Sequence, residues 1–403
     1  MNFDILSYGN YVVFAILAFF IVVSSYVISH IVDAIEKRTR FSGVLVAGTV
    51  VAFVSSMPEF TSSLVGIFTT NNPSVAAGNL LGGEIYRTAM LAFTLLFFLV
   101  LISKAKTTMV QVSLTVSQIV VFAAYFLVMW LARNQFSETI STVIFTTISV
   151  VVLFIYAFNL WVMVKKSKTE VAEEMKEYKD DVPKGLEAKF RHFFSKIKIW
   201  KMVLIFVASS VIIVAASFFI AFSTNWILTS WGWESTDPKT GFGYSLLLGI
   251  VTSIPETITV ISLLKLKNVN AAFGDILGSN MFTCLILSVV DLVYWHGNDT
   301  LFGKQSDEAL SIAFWCFVSM SFIGIILLVN WLYRNSRHGK IYYSIQISLL
   351  ILVVLCYVCY LVISGLGINI FYPINPDPGP PSTASGWNDM YSTLQFSKMA
   401  LGR

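Results

Sequence analysis

Two Pro-Glu pairs, one in each half of the 403-residue chain, lie deep inside long apolar stretches. The first pair ends the sequence SSMPE at Glu59, and the second ends TSIPE at Glu256. An ionisable side chain near the middle of a membrane span costs at least about 2.5–3.5 kcal/mol on insertion scales, so such residues usually serve a function. The alternative, a carboxyl group kept neutral by hydrogen bonds, would have to occur twice at matching positions. We therefore expect both glutamates to bind an ion.

The residues around each glutamate offer further oxygen ligands. Proline cannot donate a backbone hydrogen bond, so Pro58 and Pro255 each free the carbonyl group four residues earlier in the helix. Two hydroxyl side chains precede each Pro-Glu pair, and the first of them shares a helix face with the glutamate. These hydroxyl residues are Ser55, Ser56, Thr252 and Ser253. Carboxylate, hydroxyl and carbonyl oxygens together suit hard cations such as Ca²⁺, Na⁺ or Mg²⁺.

Each Pro-Glu pair is followed by a second polar motif. The motifs read GNLLGGEIYR, residues 78–87, and GDILGSNMFT, residues 274–283. Their glycines allow helices to approach closely, and residues at four-residue spacing form one stripe on each helix. The two stripes consist of Asn79, Gly83 and Arg87 in the first motif and of Asp275, Ser279 and Thr283 in the second. We expect both stripes to face the site of the glutamates.

Arg87 is the least expected residue in these motifs, because a fixed positive charge opposes a bound cation. One interpretation is that Arg87 acts as a built-in cation within the site, with Glu84 and either Glu59 or Glu256 as its partners. The other is that it turns away and pairs with Glu84 alone, three residues earlier on the same helix. The sequence leaves both open.

The two halves of the chain repeat one pattern. The Pro-Glu pairs are 197 positions apart and the second motifs 196 positions apart. The chain is 56% hydrophobic and only 12% charged, against about 25% charged in soluble domains. Apolar runs long enough to cross a bilayer recur along it. We predict an all-α polytopic membrane protein with ten transmembrane helices. The predicted spans are 11–30, 43–69, 75–102, 110–132, 139–164, 203–228, 243–264, 270–295, 309–333 and 341–366.

Five spans in each half make an odd number, so the second half must enter the membrane from the opposite side. The predicted organisation is therefore two inverted five-helix repeats with the site between them. The first repeat is 1–164, with its motifs at 43–90, and the second is 202–369, with its motifs at 243–290. Between them lies a charged and amphipathic cytoplasmic loop, 165–201, and a mobile extracytoplasmic tail, 370–403, follows the second repeat.

The distribution of lysine and arginine predicts the orientation. Connections after odd-numbered spans hold 21 of these residues, and connections after even-numbered spans together with the tail hold five. The positive-inside rule then places both termini outside the cell membrane and the central loop in the cytoplasm. Because the basic residues are spread over many loops, nucleic-acid binding is not expected.

Other chemistry finds little support in the sequence. The four cysteines lie inside apolar runs, and Cys356 and Cys359 have the Cys-x-x-Cys spacing without a second pair to complete a metal site. We interpret them as small packed side chains. The sequence contains no Gly-x-Ser-x-Gly or His-Glu-x-x-His motif, and it predicts no catalytic residue and no cofactor.

The motifs resemble the alpha-repeats of the calcium/cation antiporter superfamily, which includes the sodium/calcium exchangers. Members carry Gly-Thr-Ser-Leu-Pro-Glu in one helix and Gly-Asn/Asp-x-x-Gly-Ser-Asn in the next. The second repeat matches through TSIPE and GDILGSN. The first departs from the pattern at Gly83, where serine is usual, and at Glu84, where asparagine or a small residue is usual. Arg87 and Thr283 also stand where asparagine or an acidic residue is usual.

The resemblance implies a function and a ligand set. Glu59 and Glu256 would be the central Ca²⁺ ligands, and Ser279 would be a ligand of the coupling ion. The paired hydroxyls Ser55, Ser56, Thr252 and Ser253 would help to bind Ca²⁺ or coupling ions. Asn79 and Asp275 complete the candidate metal ligands, and Arg87, Glu84 and Thr283 are candidates for coupling or gating.

We therefore expect a secondary active antiporter that exchanges Ca²⁺, or a similar divalent cation, for Na⁺ or H⁺ by alternating access. Its partners would be inorganic cations and the lipid bilayer. One alternative is a protein of the same fold that handles another substrate, or has lost exchange, because of Arg87. A third class is a membrane scaffold or intramembrane enzyme that transports nothing. The sequence does not indicate an oligomeric state.

Overall fold

The computed structural model describes residues 5–38, 45–68, 73–99, 107–134, 138–177, 189, 192–194, 196–232, 239–294, 307–333 and 340–366. Within these ranges the secondary structure is helical, with no strand. Its regular elements fall into ten helices. The eight unbroken ones are α1 (Ile5–Arg38), α3 (Pro73–Phe97), α4 (Met109–Asn134), α5 (Glu138–Glu177), α6 (Ile199–Ser230), α8 (Val269–Tyr294), α9 (Asp307–Leu332) and α10 (Lys340–Gly365).

The two remaining helices are interrupted, and they carry the Pro-Glu pairs. Helix α2 consists of the segments Val46–Val51, Ala52–Ser55 and Met57–Phe68. Helix α7 consists of Lys239–Tyr244, Ser245–Gly249, Ile250–Thr252 and Ile254–Lys265.

The length and hydropathy of the helices support a membrane protein. All eight unbroken helices contain a stretch that is long and apolar enough to cross a membrane. The two parts of α7, which meet at 42°, would form a ninth span. The predicted all-α membrane fold is thus confirmed, and the ten helices are consistent with the predicted number of spans. That number, the inversion of the repeats and the domain boundaries stay predictions.

The interruptions in α2 and α7 have a local cause. In each helix a π-helical segment, Val46–Val51 or Ser245–Gly249, precedes the break. The break itself falls at Ser56 and at Ser253, where ψ rises to 1° and 3°. The prolines then lie in the first turn of the next segment, where the missing N–H group has no helical acceptor to lose. Both glutamates therefore follow a bend in the backbone.

Helices α3 and α8 form the enclosed centre of the bundle. Of their membrane-spanning stretches, 72% and 78% are buried, against 22–44% for the other unbroken spans. Each packs closely against the π-helical segment of the opposite repeat. A Cβ atom on Gly278 would collide with the backbone of Gly48, and one on Gly82 would collide with Ser245. These close approaches bring the second motif of one repeat against the first motif of the other.

The ends of the helices differ from the predicted spans in several places. Helix α5 continues to Glu177, well beyond the predicted end at 164, because hydropathy marks where a chain leaves the lipid and a helix can continue into water. This continuation includes the first part of the predicted central loop. The predicted tail, 370–403, lies outside the described residues, as does most of the loop after Glu177.

Candidate cation site

The bends in α2 and α7 place Glu59 and Glu256 inside the bundle, where both side chains are fully buried. Each glutamate accepts a hydrogen bond from a serine of the other repeat. Ser253 Oγ donates to Glu59 Oε1 at 3.1 Å, and Ser56 Oγ donates to Glu256 Oε1 at 3.4 Å. Because the serines are themselves repeat equivalents, the two bonds cross between the halves. The site is thus built jointly by both repeats.

Asn79 holds the first of these glutamates in position. Its amide nitrogen lies 3.1 Å from the backbone carbonyl of Glu59, 2.7 Å from Ser62 Oγ and 3.1 Å from Ser63 Oγ. Its side-chain oxygen accepts a hydrogen bond from Thr252 Oγ1 at 3.1 Å. Asn79 therefore joins α2, α3 and α7, and its predicted role as a metal ligand remains a prediction.

Asp275, the residue of the second repeat that corresponds to Asn79, has quite different surroundings. It is fully buried, and neither of its carboxylate oxygens has a hydrogen-bond partner among the described residues. One turn further along α8, Ser279 Oγ lies 3.2 Å from Ser55 Oγ of α2. An ionised carboxylate without a partner is expensive to bury, so Asp275 is suited to a cation.

Several other buried carboxylate oxygens also lack hydrogen-bond partners in the described part of the chain. These atoms are Glu59 Oε2, Glu84 Oε1 and Glu256 Oε2. No group of three His, Cys, Asp or Glu side chains within the described ranges is gathered closely enough to hold a metal ion. A cation bound here would therefore need hydroxyl or carbonyl ligands in addition to carboxylates, as the mixed ligand set predicts.

The guanidinium group of Arg87 lies among these carboxylates and is completely buried. Its Nη1 donates to Glu59 Oε1 at 2.7 Å and to Ser253 Oγ at 3.2 Å. The same nitrogen is 3.9 Å from Glu256 Oε1. Arg87 thus faces both central glutamates, and the interpretation in which it turns away is wrong.

The other nitrogens of Arg87 bind residues of α3 and α8. Nη2 donates to Glu84 Oε2 at 2.7 Å and to Thr283 Oγ1 at 2.6 Å, and Nε donates to Asn280 Oδ1 at 3.2 Å. The predicted partners, Glu84 together with Glu59, are therefore both present. If all these groups are ionised, Arg87 offsets one of the four negative charges of Glu59, Glu84, Glu256 and Asp275.

All twelve predicted site residues belong to this connected region. They are Ser55, Ser56, Glu59, Asn79, Glu84, Arg87, Thr252, Ser253, Glu256, Asp275, Ser279 and Thr283, and every one is buried. Sequence reasoning missed Asn280, which binds Arg87, and Ser62 and Ser63, which bind Asn79. The repeat offset was a usable signal for Asn280, because it makes this residue the equivalent of Glu84.

A helical membrane bundle with buried carboxylates from two repeats facing each other defines the class of ion-transporting membrane proteins. Comparison with known proteins supports this class. The structure resembles the crystal structure of the H⁺/Ca²⁺ exchanger CAX with a TM-score of 0.58 at 12% identity, over 89% of this chain and 90% of that one. It resembles a structure of the sodium-calcium exchanger NCX_Mj soaked with Na⁺ and Sr²⁺ with a TM-score of 0.52 at 16% identity, over 89% and 98% of the two chains. These likenesses show a common fold.

Comparison of the sequence with protein-family models identifies the family of this protein. A family model described as sodium/calcium exchanger protein matches residues 9–165 and 201–366, and no curated protein matches the chain. The matched residues include both repeats and leave out the central loop. The chain therefore belongs to the sodium/calcium exchanger family, which confirms the resemblance of its motifs. Members of this family are secondary transporters and not enzymes.

Proposed function

We propose that this protein exchanges Ca²⁺, or a similar divalent cation, for Na⁺ or H⁺ across the membrane by alternating access. The observation that carries the proposal is the set of buried, unpartnered carboxylate oxygens from both repeats, on Glu59, Glu84, Glu256 and Asp275. Oxygen ligands with negative charge are the ligands that Ca²⁺ prefers. The membership of the chain in the sodium/calcium exchanger family supports the same substrate class.

In this proposal the glutamates and Asp275 supply the charge, and hydroxyl oxygens complete the coordination. The hydroxyl ligands would be Ser55, Ser56, Thr252, Ser253 and Ser279. The broken helices α2 and α7 carry most of these ligands, so motion of one repeat against the other would change access to the ion. Asn79 would orient the backbone of Glu59, and its side-chain oxygen stays a candidate ligand.

For the membrane and the orientation, we propose the cell membrane with both termini outside. The excess of lysine and arginine in the connections after odd-numbered spans supports this orientation.

The flux of divalent cations through purified protein in proteoliposomes tests the function. We expect ⁴⁵Ca²⁺ uptake that is driven by an outward Na⁺ gradient or by a pH gradient, and the two gradients are imposed separately. Glu59→Gln and Glu256→Gln should each abolish uptake, since each removes a central charge. An introduced cysteine at position 385, labelled from one side only, reports the orientation of the termini.

The matched control for these variants is Asp291→Asn. Asp291 is also a buried carboxylate of α8, but it accepts a hydrogen bond from Ser149 at 2.8 Å, and asparagine can still accept that bond. Uptake should survive this substitution. Normal uptake by well-folded Glu256→Gln protein would show that the proposed site is wrong.

A second candidate is a protein of the same fold with another substrate or without exchange. The observation that favours it is the 2.7 Å ion pair between Arg87 and Glu59, because a fixed cation there competes with a divalent one. Absence of ⁴⁵Ca²⁺ uptake under either gradient, in protein whose helices and thermal unfolding are intact, would favour this candidate.

A further inference from the structure

Beyond the difference between Asn79 and Asp275, three residues over about one helical turn of the second motif distinguish the first repeat from the second. Where the second repeat has Ser279, Asn280 and Thr283, the first has Gly83, Glu84 and Arg87. The three residues meet in the structure, and Arg87 follows Gly83 and Glu84 by about one helical turn. These residues differ from their second-repeat equivalents in size, charge and hydrogen-bonding capacity. Each difference affects the surroundings of the Arg87 guanidinium group.

Gly83 provides the space for the guanidinium group. A Cβ atom at this position would come within 2.9 Å of Ser253 Oγ, which is too close, and would lie 3.6 Å from Arg87 Nη1. A serine there would add a hydroxyl group in the same narrow space between α3 and α7. In the second repeat, by contrast, the hydroxyl of Ser279 contacts Ser55 across the equivalent helix pair. A serine side chain at position 83 would therefore crowd Ser253 Oγ, the atom that accepts a hydrogen bond from Arg87 Nη1.

Glu84 provides the compensating charge. Its Oε2 accepts a hydrogen bond from Arg87 Nη2 at 2.7 Å, and Asn280, its equivalent in the other repeat, accepts one from Nε at 3.2 Å. Glu84 and Arg87 together add no net charge when compared with the neutral pair Asn280 and Thr283. What they add is a positive group directed toward the central glutamates and a negative group behind it.

The contacts of Arg87 resemble the coordination shell of an ion. The guanidinium group makes five hydrogen bonds, one for each of its N–H groups, and every acceptor is an oxygen atom. The acceptors come from α2, α3, α7 and α8, and thus from both repeats. A group that is satisfied so completely, at full burial, has no remaining hydrogen bond to gain elsewhere.

We propose that Gly83, Glu84 and Arg87 form one unit that holds a tethered cation in the first-repeat half of the site. The transported divalent cation then binds toward Asp275 and Glu256, in the second-repeat half. Because the guanidinium group cannot dissociate or lose its charge at working pH, this half of the site binds no free monovalent ion. The proposal rests on the proposed function for the identity of the transported ion, and it names the residues that set its dependence on Na⁺.

The test exchanges the unit for its counterpart in the second repeat. The triple substitution Gly83→Ser, Glu84→Asn and Arg87→Thr makes these positions identical to Ser279, Asn280 and Thr283 without changing the net charge. Equilibrium ⁴⁵Ca²⁺ binding to purified protein is measured from about 1 to about 100 mM Na⁺. The parent should bind Ca²⁺ with little dependence on Na⁺, whereas in the triple variant Na⁺ should weaken Ca²⁺ binding about tenfold, within the usual range of coupling between two ligands.

Two single variants distinguish the effect of removing the guanidinium group from the effect of changing the net charge of the site. Arg87→Gln removes the tethered cation and keeps hydrogen-bonding capacity, so it should gain the same dependence on Na⁺ even if the triple variant fails to fold. Glu84→Gln changes the net charge by the same amount in the opposite direction and leaves Arg87 in place, so it should not gain this dependence.

The outcomes distinguish this proposal from the proposed function. Strong competition by Na⁺ in the parent, or equal Na⁺ dependence in parent and folded Arg87→Gln, would overturn the tethered cation. Binding of Ca²⁺ that does not depend on Na⁺, together with no Ca²⁺ flux under either gradient, would support the tethered cation and contradict antiport.

Discussion

The two repeats place the same backbone around the site but present different side chains to it. Both contain a π-helical segment, a break at a serine and a glutamate three residues later. In the helix that follows, however, the first repeat carries Asn79 and Arg87 where the second carries Asp275 and Thr283. Asn79 makes hydrogen bonds through both its amide nitrogen and its side-chain oxygen, whereas neither carboxylate oxygen of Asp275 has a hydrogen-bond partner in the described part of the chain. The shared features build the candidate site, and in our proposal the differing ones divide it into a half that the Arg87 guanidinium occupies and a half that binds the transported ion.

The largest effect should come from substituting Asp275 and its repeat equivalent Asn79, whose hydrogen bonding differs most. Asp275→Asn removes an unpartnered charge from the ion-binding half and should weaken Ca²⁺ binding on the order of 100-fold, since the loss of one buried charge in a pair costs about 2–5 kcal/mol. The thermal unfolding temperature should hardly change, because Asp275 makes no hydrogen bond that would be lost.

Asn79→Asp should instead act mainly on the stability of the protein. It removes the amide nitrogen that donates to the Glu59 carbonyl and to Ser62 Oγ, and it leaves a carboxylate oxygen facing the Glu59 carbonyl. Stability should fall by about 1–3 kcal/mol, which thermal unfolding detects. Equal effects of the two substitutions on Ca²⁺ binding would contradict the division of the site into two unlike halves.

The next largest effect should be the loss of stability when alanine replaces Gly278 or Gly82, the glycines of α8 and α3 that contact the opposite repeat. Gly278→Ala places a methyl group against the backbone of Gly48, which has no side chain to move, and should destabilise the protein by about 3 kcal/mol. Gly82→Ala meets Ser245 instead. Ser245→Gly should therefore restore part of the stability of Gly82→Ala, although Tyr360 then loses the acceptor that it binds at 2.7 Å. Thermal unfolding of the single and double variants measures this difference, and failure of the rescue would show that the Gly82 contact is not the cause.

The smallest effects on Ca²⁺ affinity should come from Ser253 and Ser56, the two serines that donate to the glutamate of the opposite repeat. Ser253 donates to Glu59 and accepts from Arg87, whereas Ser56 makes only the longer bond to Glu256. Ser253→Ala should lower Ca²⁺ affinity about fivefold and Ser56→Ala about twofold, in line with about 0.5–1.5 kcal/mol for a hydrogen bond. Equal losses would show that the bond between Arg87 and Ser253 contributes nothing to ion binding.

The sequence predicted those features of the fold and the site that depend on residue type and local spacing. Hydropathy predicted the membrane helices, and the matched Pro-Glu pairs indicated the two broken ones. The charge of Arg87 and its distance from Glu84 predicted their ion pair, because an unpaired arginine in a membrane is costly.

Other features depend on which helix faces which, and residue spacing does not contain that information. The bonds from Arg87 to Asn280 and to Thr283 join residues 193 and 196 positions apart. The π-helical segments have no composition that separates them from an α-helix, so hydropathy could not reveal them. The sequence left open whether Arg87 faces the glutamates or pairs with Glu84 alone, and the hydrogen bonds of Arg87 to Glu59 and Ser253 decide between the two.

The crossed hydrogen bonds of Ser56 and Ser253 have a consequence for the timing of transport. Each glutamate is held by a serine from the opposite half, so any rocking of one half against the other lengthens both bonds together. In the proposed alternating-access mechanism, the oxygen atoms released in this way would become available to an ion when the halves move. Ion capture and the change of access would thereby be linked at the same two carboxylate oxygens, one on each glutamate.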